Sequence, residues 1–430
     1  MSEATLERGI NALKEQIDAP VASFFSSCVS CGMCAEACLF YTETGDPKYT
    51  PIYKLEPLRR VWESEYTLIG KIKKALGLHK PVTDEMLQDW QELLYDSCTM
   101  CARCSMVCPV GNDIAYMVRK TREGMVASGN APEGVKGAAT RAVKIGSPMG
   151  VKLTALEAQI KHIEADTGLK IPMDEEGADY LALLSSMEIM NFPEYLEGLA
   201  KIFKQAGVSW TLCSTAFEAT NSGIQIGSTD IARQLVERIV EGAERLKVKY
   251  VISPECGHAY TAIRWDGPNL IGRPFNFKVI HILELLDELR AAGRIKTKDL
   301  ESDRYTFHDP CSIARKGGVI EQPRHLMNMV TTNFVEMKEH GRMAWCCGGG
   351  GGVSSNDDAA DLRIQVFKKK RDQIAETNAD VLVTACANCR LVIEEGLEEY
   401  KVEMPIVGLS ELIADHLVVD DEPRETKSDS

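Results

Sequence analysis

Apolar residues recur at helical spacing at the start of the chain, at Ile10, Leu13 and Ile17, until Pro20 breaks the pattern ahead of a serine-rich turn. The same spacing returns in LEPLRRVWESE and VTDEMLQDWQELLYD. Residues 114–205 read as helix-rich, with breaks at Gly-Ser-Pro near Gly146 and Asn-Phe-Pro near Asn191. From about Gly207 the period changes. Short β-branched runs alternate with amphipathic helices through KYVIS, FKVIHILELLDELRAAG, RYTFHDP, DVLVTAC and MPIVGLSELIADHL, which predicts an α/β domain with parallel strands. The last ten residues, DEPRETKSDS, are polar and predict a disordered tail over 421–430.

Length and composition set the class. With 430 residues, 44% hydrophobic and 26% charged, the chain is long enough to bury two or three cores. Its 49 basic against 63 acidic residues give a net charge of −14, which argues against nucleic acid as a partner. No apolar run approaches the roughly 18 residues of a membrane span, so any membrane association is expected to come through a partner. The opening MSEATLERGINALKEQ carries no apolar signal segment, and the expectation is a cytoplasmic protein whose thiols stay reduced.

What departs from the ordinary is the cysteine content. Fifteen are present: eight in two short runs, seven spread between Cys213 and Cys389, and none in the 104 residues from Pro109 to Leu212. Cys28, Cys31, Cys34 and Cys38 are spaced C-x2-C-x2-C-x3-C, and Cys98, Cys101, Cys104 and Cys108 repeat the intervals 70 residues later. Three thiolates at such intervals wrap three corners of a cubane, while the fourth projects toward a second cluster. The spacing thus predicts two 4Fe-4S clusters with crossed ligation, one on Cys28, Cys31, Cys34 and Cys108, the other on Cys98, Cys101, Cys104 and Cys38. Zinc needs only four ligands per site and gives no reason for a triply spaced run with a distant fourth cysteine. The long helical linker between the runs resembles the α-helical ferredoxin domain of heterodisulfide and succinate oxidoreductases. Pro109 follows the second run as in bacterial ferredoxins, whereas Leu39 follows the first.

A second constellation comprises Cys311 in HDPC, Cys346 and Cys347 in CCGGGGG, and Cys386 and Cys389 in ACANC. It resembles the cysteine-rich CCG domain of heterodisulfide reductase, and the resemblance implies that these five cysteines hold a noncubane 4Fe-4S cluster. The run Gly348 to Gly352 leaves no side chains above the site, so substrate or cluster can approach the backbone. KYVISPECGHA aligns with ADVLVTACANC so that Cys256 meets Cys386 and Ala259 meets Cys389, and upstream Trp210 pairs with Trp345. The CCG domain therefore reads as two related halves, the first stripped of most ligands. Cys213 and Cys256 remain over, as buried hydrophobes or as residues flanking a substrate channel.

Taken together, FEATNSG and SPECGHAY in the degenerate copy and a helical ferredoxin domain fused to one complete CCG motif resemble the DsrK branch of the HdrD family. The expected organisation is an α-helical ferredoxin domain over 1–125, a helical linker over 126–205, a degenerate first CCG half over 206–300, a complete half over 301–420, and the tail. The resemblance implies two-electron reduction of a sulfur–sulfur bond, or its reverse, with two cubanes as the wire. Its implied partners are a haem-bearing, DsrM-like integral membrane subunit and, as substrate, a small DsrC-like protein carrying a disulfide or trisulfide. This would hold the chain peripherally on the cytoplasmic face of the inner membrane, in dissimilatory sulfur metabolism. Two related readings are an HdrD-type subunit acting on a small-molecule disulfide and an electron-transfer subunit of a glycolate or glycerol-3-phosphate dehydrogenase. His308 and His258, each within three residues of a site cysteine, are candidate proton donors, because histidine titrates near neutrality. Glu218 and Glu255 read as turn or salt-bridge residues, while Arg264 and Arg273 flank a WDGP turn and could steer an acidic partner.

Overall fold

The computed structural model describes residues 3–298 and 302–418; the expected tail over 421–430 lies outside the described residues. Pro20 does not end the helical pattern but opens a second helix, Ala19–Ser27. It sits in the first turn, where its missing N–H is not needed, and the Asp18 carboxylate accepts from Val21 N at 2.9 Å. Helix Glu3–Glu15 crosses helix Ile114–Ala127 at a seam of small residues. A Cβ on Gly124 would lie 2.4 Å from Leu13 Cγ, and one on Gly9 would lie 2.7 Å from Ser128 Cβ. Thr83 caps helix Asp84–Gln91 by accepting from Met86 N at 3.1 Å, and the chain widens into a π-type turn over Glu92–Asp96 before Cys98. The first domain is therefore helical, wrapped around both compact cysteine runs.

Two four-stranded parallel sheets follow. One comprises β1 (Tyr180–Ala182), β2 (Trp210–Thr211), β3 (Tyr250–Ser253) and β4 (Lys278–His281) in the order β2-β1-β3-β4. The other comprises β5 (Tyr305–His308), β6 (Phe334–Val335), β7 (Val381–Thr384) and β8 (Ile406–Gly408) in the same relative order, β6-β5-β7-β8. All pairings within both are parallel.

The stretch 126–205, read as helical linker, holds β1 and the helix Ser186–Asn191 with its Ser185–Glu188 capping box, so the first sheet starts before residue 206. Three residues of strand followed by a serine cap leave too short a period-2 signal to read. The pairing of Trp210 with Trp345 also changes. Trp210 lies in β2 opposite Tyr180, and the residue in the matching register of the second sheet is Phe334, opposite Tyr305. Trp345 stands ten residues beyond the end of that strand, in the loop before Cys346, with the Arg103 guanidinium 3.5 Å above its ring.

Candidate functional site

In each sheet the chain turns opposite ways from its first strand, leaving a crevice at the carboxyl ends of β1 and β3 and of β5 and β7. The cysteine-bearing loops leave from these places. His308 ends β5 and is followed by Asp309, Pro310 and Cys311, which leads into a π-type turn over Ser312–Lys316. Arg324 holds Asp309 through a hydrogen bond of 2.6 Å, and Gly341 N donates to the same carboxylate at 2.7 Å. After β7, Cys386 is the N-cap of helix Ala387–Glu399, which puts Cys389 in its first turn, where hydrogen bonding with Cys347 and Cys386, together with burial, pushes its thiol up. Cys256 holds the same N-cap position after β3. The two loops bond directly, with Ala387 N donating to Glu255 O at 3.0 Å.

Between the crevices runs a cleft of about 490 Å³. Cys311, Cys347, Cys386 and Cys389 line it from one side, and Ser186, Cys256 and His258 from the other. Cys346 points away from the cleft. Its thiol interacts with Cys311, Cys347 and Cys101, and donates to Thr99 Oγ1 at 3.3 Å. The five cysteines of the second constellation thus come together, and Cys101 of the helical domain reaches them. The Cys347 thiol is held well below its usual range by hydrogen bonding from Cys346 and Cys389, against the opposing effect of burial.

The two compact runs interleave around two cavities. Cys28, Cys31, Cys34 and Cys108 line one small cavity, while Cys38, Cys98, Cys101 and Cys104 line another. Four convergent sulfurs in each cavity, none in a disulfide, suit a cubane. Buried cations stand where anionic clusters would need them. Lys54 is almost fully buried beside the Cys38 cavity, donating to Ser97 Oγ at 3.1 Å. Lys370, fully buried, donates to Gln373 Oε1 at 2.9 Å, and burial pushes its pKa down to about 8 while the nearby Cys347 and Cys346 oppose that shift. Arg315 donates to Cys101 O at 2.8 Å, and Arg122, also fully buried, donates to Cys98 O at 2.9 Å and Gly351 O at 2.6 Å. Sequence reasoning passed over all four, although Lys370 falls on the buried helical stripe of Val366, Phe367, Gln373 and Ile374.

The remaining candidates separate. The ring of His308 is buried within 4.8 Å of the Cys347 and Cys389 sulfurs, and burial together with Lys370 lowers its pKa. His258 lines the cleft, but Nε2 contacts Asn221 O at 3.1 Å and burial lowers its pKa to about 4, so the ring is neutral near pH 7. Cys213 lies away from the cleft, under Arg245 at 3.2 Å, whereas Cys256 lines it. Arg264 and Arg273 are occupied by Glu284 and Glu244, at 2.9 and 2.8 Å. Glu218 bonds Ser186 and Thr220, and Glu255 accepts from Ser410 N at 2.7 Å, with burial and then Glu411 pushing its pKa up to about 8.

The glycine run has a use its sequence did not convey. A Cβ on Gly350 would sit 3.0 Å from Thr99 O, one on Gly351 2.8 Å from Thr99 C, and one on Gly349 2.4 Å from Val392 Cγ2. Gly350 and Gly351 let the Cys98–Thr99 loop of the helical domain press onto the loop that follows Cys346 and Cys347, and Gly349 lets helix Ala387–Glu399 do the same, which is a close approach of protein to protein.

Comparison with known proteins agrees with this arrangement. Residues 25–112 match the 4Fe-4S dicluster domain family, and residues 305–394 match the Cysteine-rich domain family. The Hdr-like menaquinol oxidoreductase iron-sulfur subunit of Archaeoglobus profundus is 26% identical over 92% of this chain and 80% of its own length. A dihydromethanophenazine:CoB--CoM heterodisulfide reductase chain of Methanosarcina barkeri is 26% identical over 91% of this chain and 93% of its own length. An EtfAB:quinone oxidoreductase of Syntrophomonas wolfei is 26% identical over 88% of this chain and 56% of its own. The chain is thus similar over most of its length to heterodisulfide-reductase-like iron–sulfur oxidoreductase subunits, and it carries one segment that matches a 4Fe-4S dicluster domain and another that matches a cysteine-rich domain.

Proposed function

We propose that this chain passes electrons from a membrane quinol–haem partner to the cleft, where a sulfur–sulfur bond is reduced, or formed in the reverse direction. Two cubane clusters on Cys28, Cys31, Cys34, Cys108 and on Cys38, Cys98, Cys101, Cys104 would be the wire. A noncubane cluster on Cys311, Cys346, Cys347, Cys386 and Cys389 would be its end. When bound, such clusters supply one-electron carriers and, at the last site, iron with affinity for sulfur. The observation that carries the reading is the contact of Cys101 with Cys346, which joins the second cubane cavity to the five-cysteine site on the side opposite the cleft.

The balanced reaction is RSSR′ + 2e⁻ + 2H⁺ giving RSH and R′SH. Residues of the chain divide that work. Lys370 offsets negative charge beneath the site, and the buried His308 ring stands within 4.8 Å of the Cys347 and Cys389 sulfurs with neither of its nitrogens otherwise hydrogen-bonded. His258, neutral and fixed on Asn221 O, shapes the cleft wall. Lys316 and Arg141 at the cleft give an anionic substrate arm a place to dock. The substrate is a DsrC-like small protein whose cysteine-bearing arm enters the cleft, in the context of a DsrMKJOP-type complex of dissimilatory sulfur metabolism.

The test is low-temperature EPR of the cluster-loaded protein, oxidised with and without a thiol substrate. A new paramagnetic signal lost in Cys346→Ser and Cys347→Ser supports the reading, and absence of a third cluster overturns it. Turnover with a DsrC-like trisulfide but not with a small mixed disulfide supports the protein substrate; the opposite preference assigns the cleft to a small molecule.

A further inference from the structure

Helix Leu68–Ala75 is amphipathic with its faces reversed. Its N-cap, Thr67, accepts from Gly70 N at 3.0 Å and donates to Glu63 O at 2.8 Å, which ties it to the preceding helix Glu56–Tyr66. The contact face is Gly70: a Cβ there would lie 1.7 Å from Glu63 O, so the helix rests on its neighbour through the one residue without a side chain. At roughly 100° per residue, Leu68, Ile72, Ala75 and Leu76 share an arc of roughly 100°, with Ile69 at its edge, and Gly70 falls on the opposite side. The apolar arc therefore faces outward. Leu68 is 76% exposed, Ile72 is the least exposed of these large apolar residues at 52%, and Leu78 extends the patch past the helix end.

Lysines edge this arc. From Tyr66 to Lys80 the sequence holds Lys71, Lys73, Lys74 and Lys80 and no acidic residue, in a chain of net charge −14. Lys71 and Lys73 fall on opposite flanks of the apolar arc and have no ion pair among the described residues, while Lys74 bonds Glu65. A protein groove covering the arc would have to desolvate these ammonium groups or pair each one. A lipid interface takes the apolar side chains into the acyl boundary while the lysine stems reach up to phosphates. The reversed faces and the basic margin in an acidic chain have one common explanation.

We propose that the segment Tyr66–Lys80 docks on the surface of an anionic bilayer, as an in-plane anchor contributed by this chain itself. No described helix is long and apolar enough to cross a membrane, so the attachment is to the surface only. It would act alongside any membrane subunit and hold the dicluster domain at the height of the headgroups.

The test is flotation of the full-length, cluster-loaded chain with phosphatidylglycerol-containing vesicles and with purely zwitterionic ones. The wild-type protein is expected to float with the anionic vesicles and to be released by salt. Neutralising Lys71 and Lys73 together (K71Q/K73Q) is expected to weaken partitioning about 30-fold, and L68S/I72S/L76S to abolish it. All five side chains are exposed, so cluster absorbance and thermal midpoint should hold, which separates lost binding from lost fold. Failure of the wild type to float, or flotation of the triple serine variant equal to wild type, overturns the proposal. So does loss, in that variant, of copurification with an integral membrane subunit when the wild type ignores vesicles, which would assign the arc to a protein partner.

Discussion

A single glycine carries much of the coupling between the two cysteine-rich regions. Gly351 has φ +64°, and a Cβ there would lie 2.8 Å from Thr99 C and 3.0 Å from Cys98 O. Those neighbours are backbone and cannot rotate aside, and the left-handed conformation alone costs an L-residue about 1 kcal/mol. Gly351→Ala should destabilise the chain by about 2 kcal/mol or more, summing that strain with the displaced loop. It should also push Cys98 away from the Cys346 loop and slow electron transfer between the domains. Thermal unfolding and the rate at which substrate reoxidises the dithionite-reduced protein report the two effects, and an unchanged midpoint would count against the close-approach account. The spacing CCGGGGG made this loop conspicuous in the sequence, and all five cysteines of its site were legible there. What the run packs against was not, since its partner, Thr99, is far away along the chain. Lys370 was hidden differently: inside KKKR, composition says surface, and only its phase on the Val366–Ile374 stripe puts it inside.

At the scale of elements, the cleft and its cysteine-bearing loops sit where two strands of each sheet part company. Strands of four residues built mainly from apolar or β-branched side chains, in KYVIS and DVLVT among others, could be read directly because burial on both faces gives a near-continuous run. β1, β2 and β6 hold two or three residues each, too few for any period, so the shared strand order of the two sheets emerges only from the pairing. The first sheet also contains a titratable element. His281 ends β4, is fully buried, and accepts from Leu283 N at Nδ1 over 3.2 Å as the cap of helix Ile282–Ala291. Burial lowers its pKa to about 3, and His258 is lowered to about 4 for the same reason. Both therefore stay neutral in the fold while the unfolded chain takes up protons below about pH 6.5. Because the unfolded state binds more protons there, stability is complete above that pH and is lost as pH falls toward 4. Denaturation midpoints between pH 7 and pH 4.5 should show this decline, and His281→Asn, which keeps a capping acceptor without the titration, should flatten it. An equal slope in the variant would remove His281 from the account.

Across the whole molecule, buried arginines join what the sequence divides. Arg122 ties Leu94 and Cys98 carbonyls of the helical domain to Gln225 near the first sheet and Gly351 near the second, and Arg315 and Arg103 reach back and forth across the same seam. The seam is fixed by protein contacts, whereas the cysteine runs hold little regular structure of their own. Helices Met33–Glu36 and Arg103–Met106 have four residues each, far below the length at which a helix holds itself, and each carries the third cysteine of a run. Metal is the natural clamp for such loops, and removing it should be felt locally first. Stripping the iron anaerobically with a chelator should release amide protection over residues 28–38 and 98–108. It should spread next to the 348–352 loop, because Arg122 shares its hydrogen bonds between Cys98 O and Gly351 O. β3, β5 and β7, closed by parallel pairing and apolar packing on both sides, should keep their protection longest. Hydrogen exchange followed by mass spectrometry distinguishes this order from a uniform loss. A uniform loss would mean that the clusters hold up the entire fold, and that the arginine seam transmits their departure to the sheets without resistance.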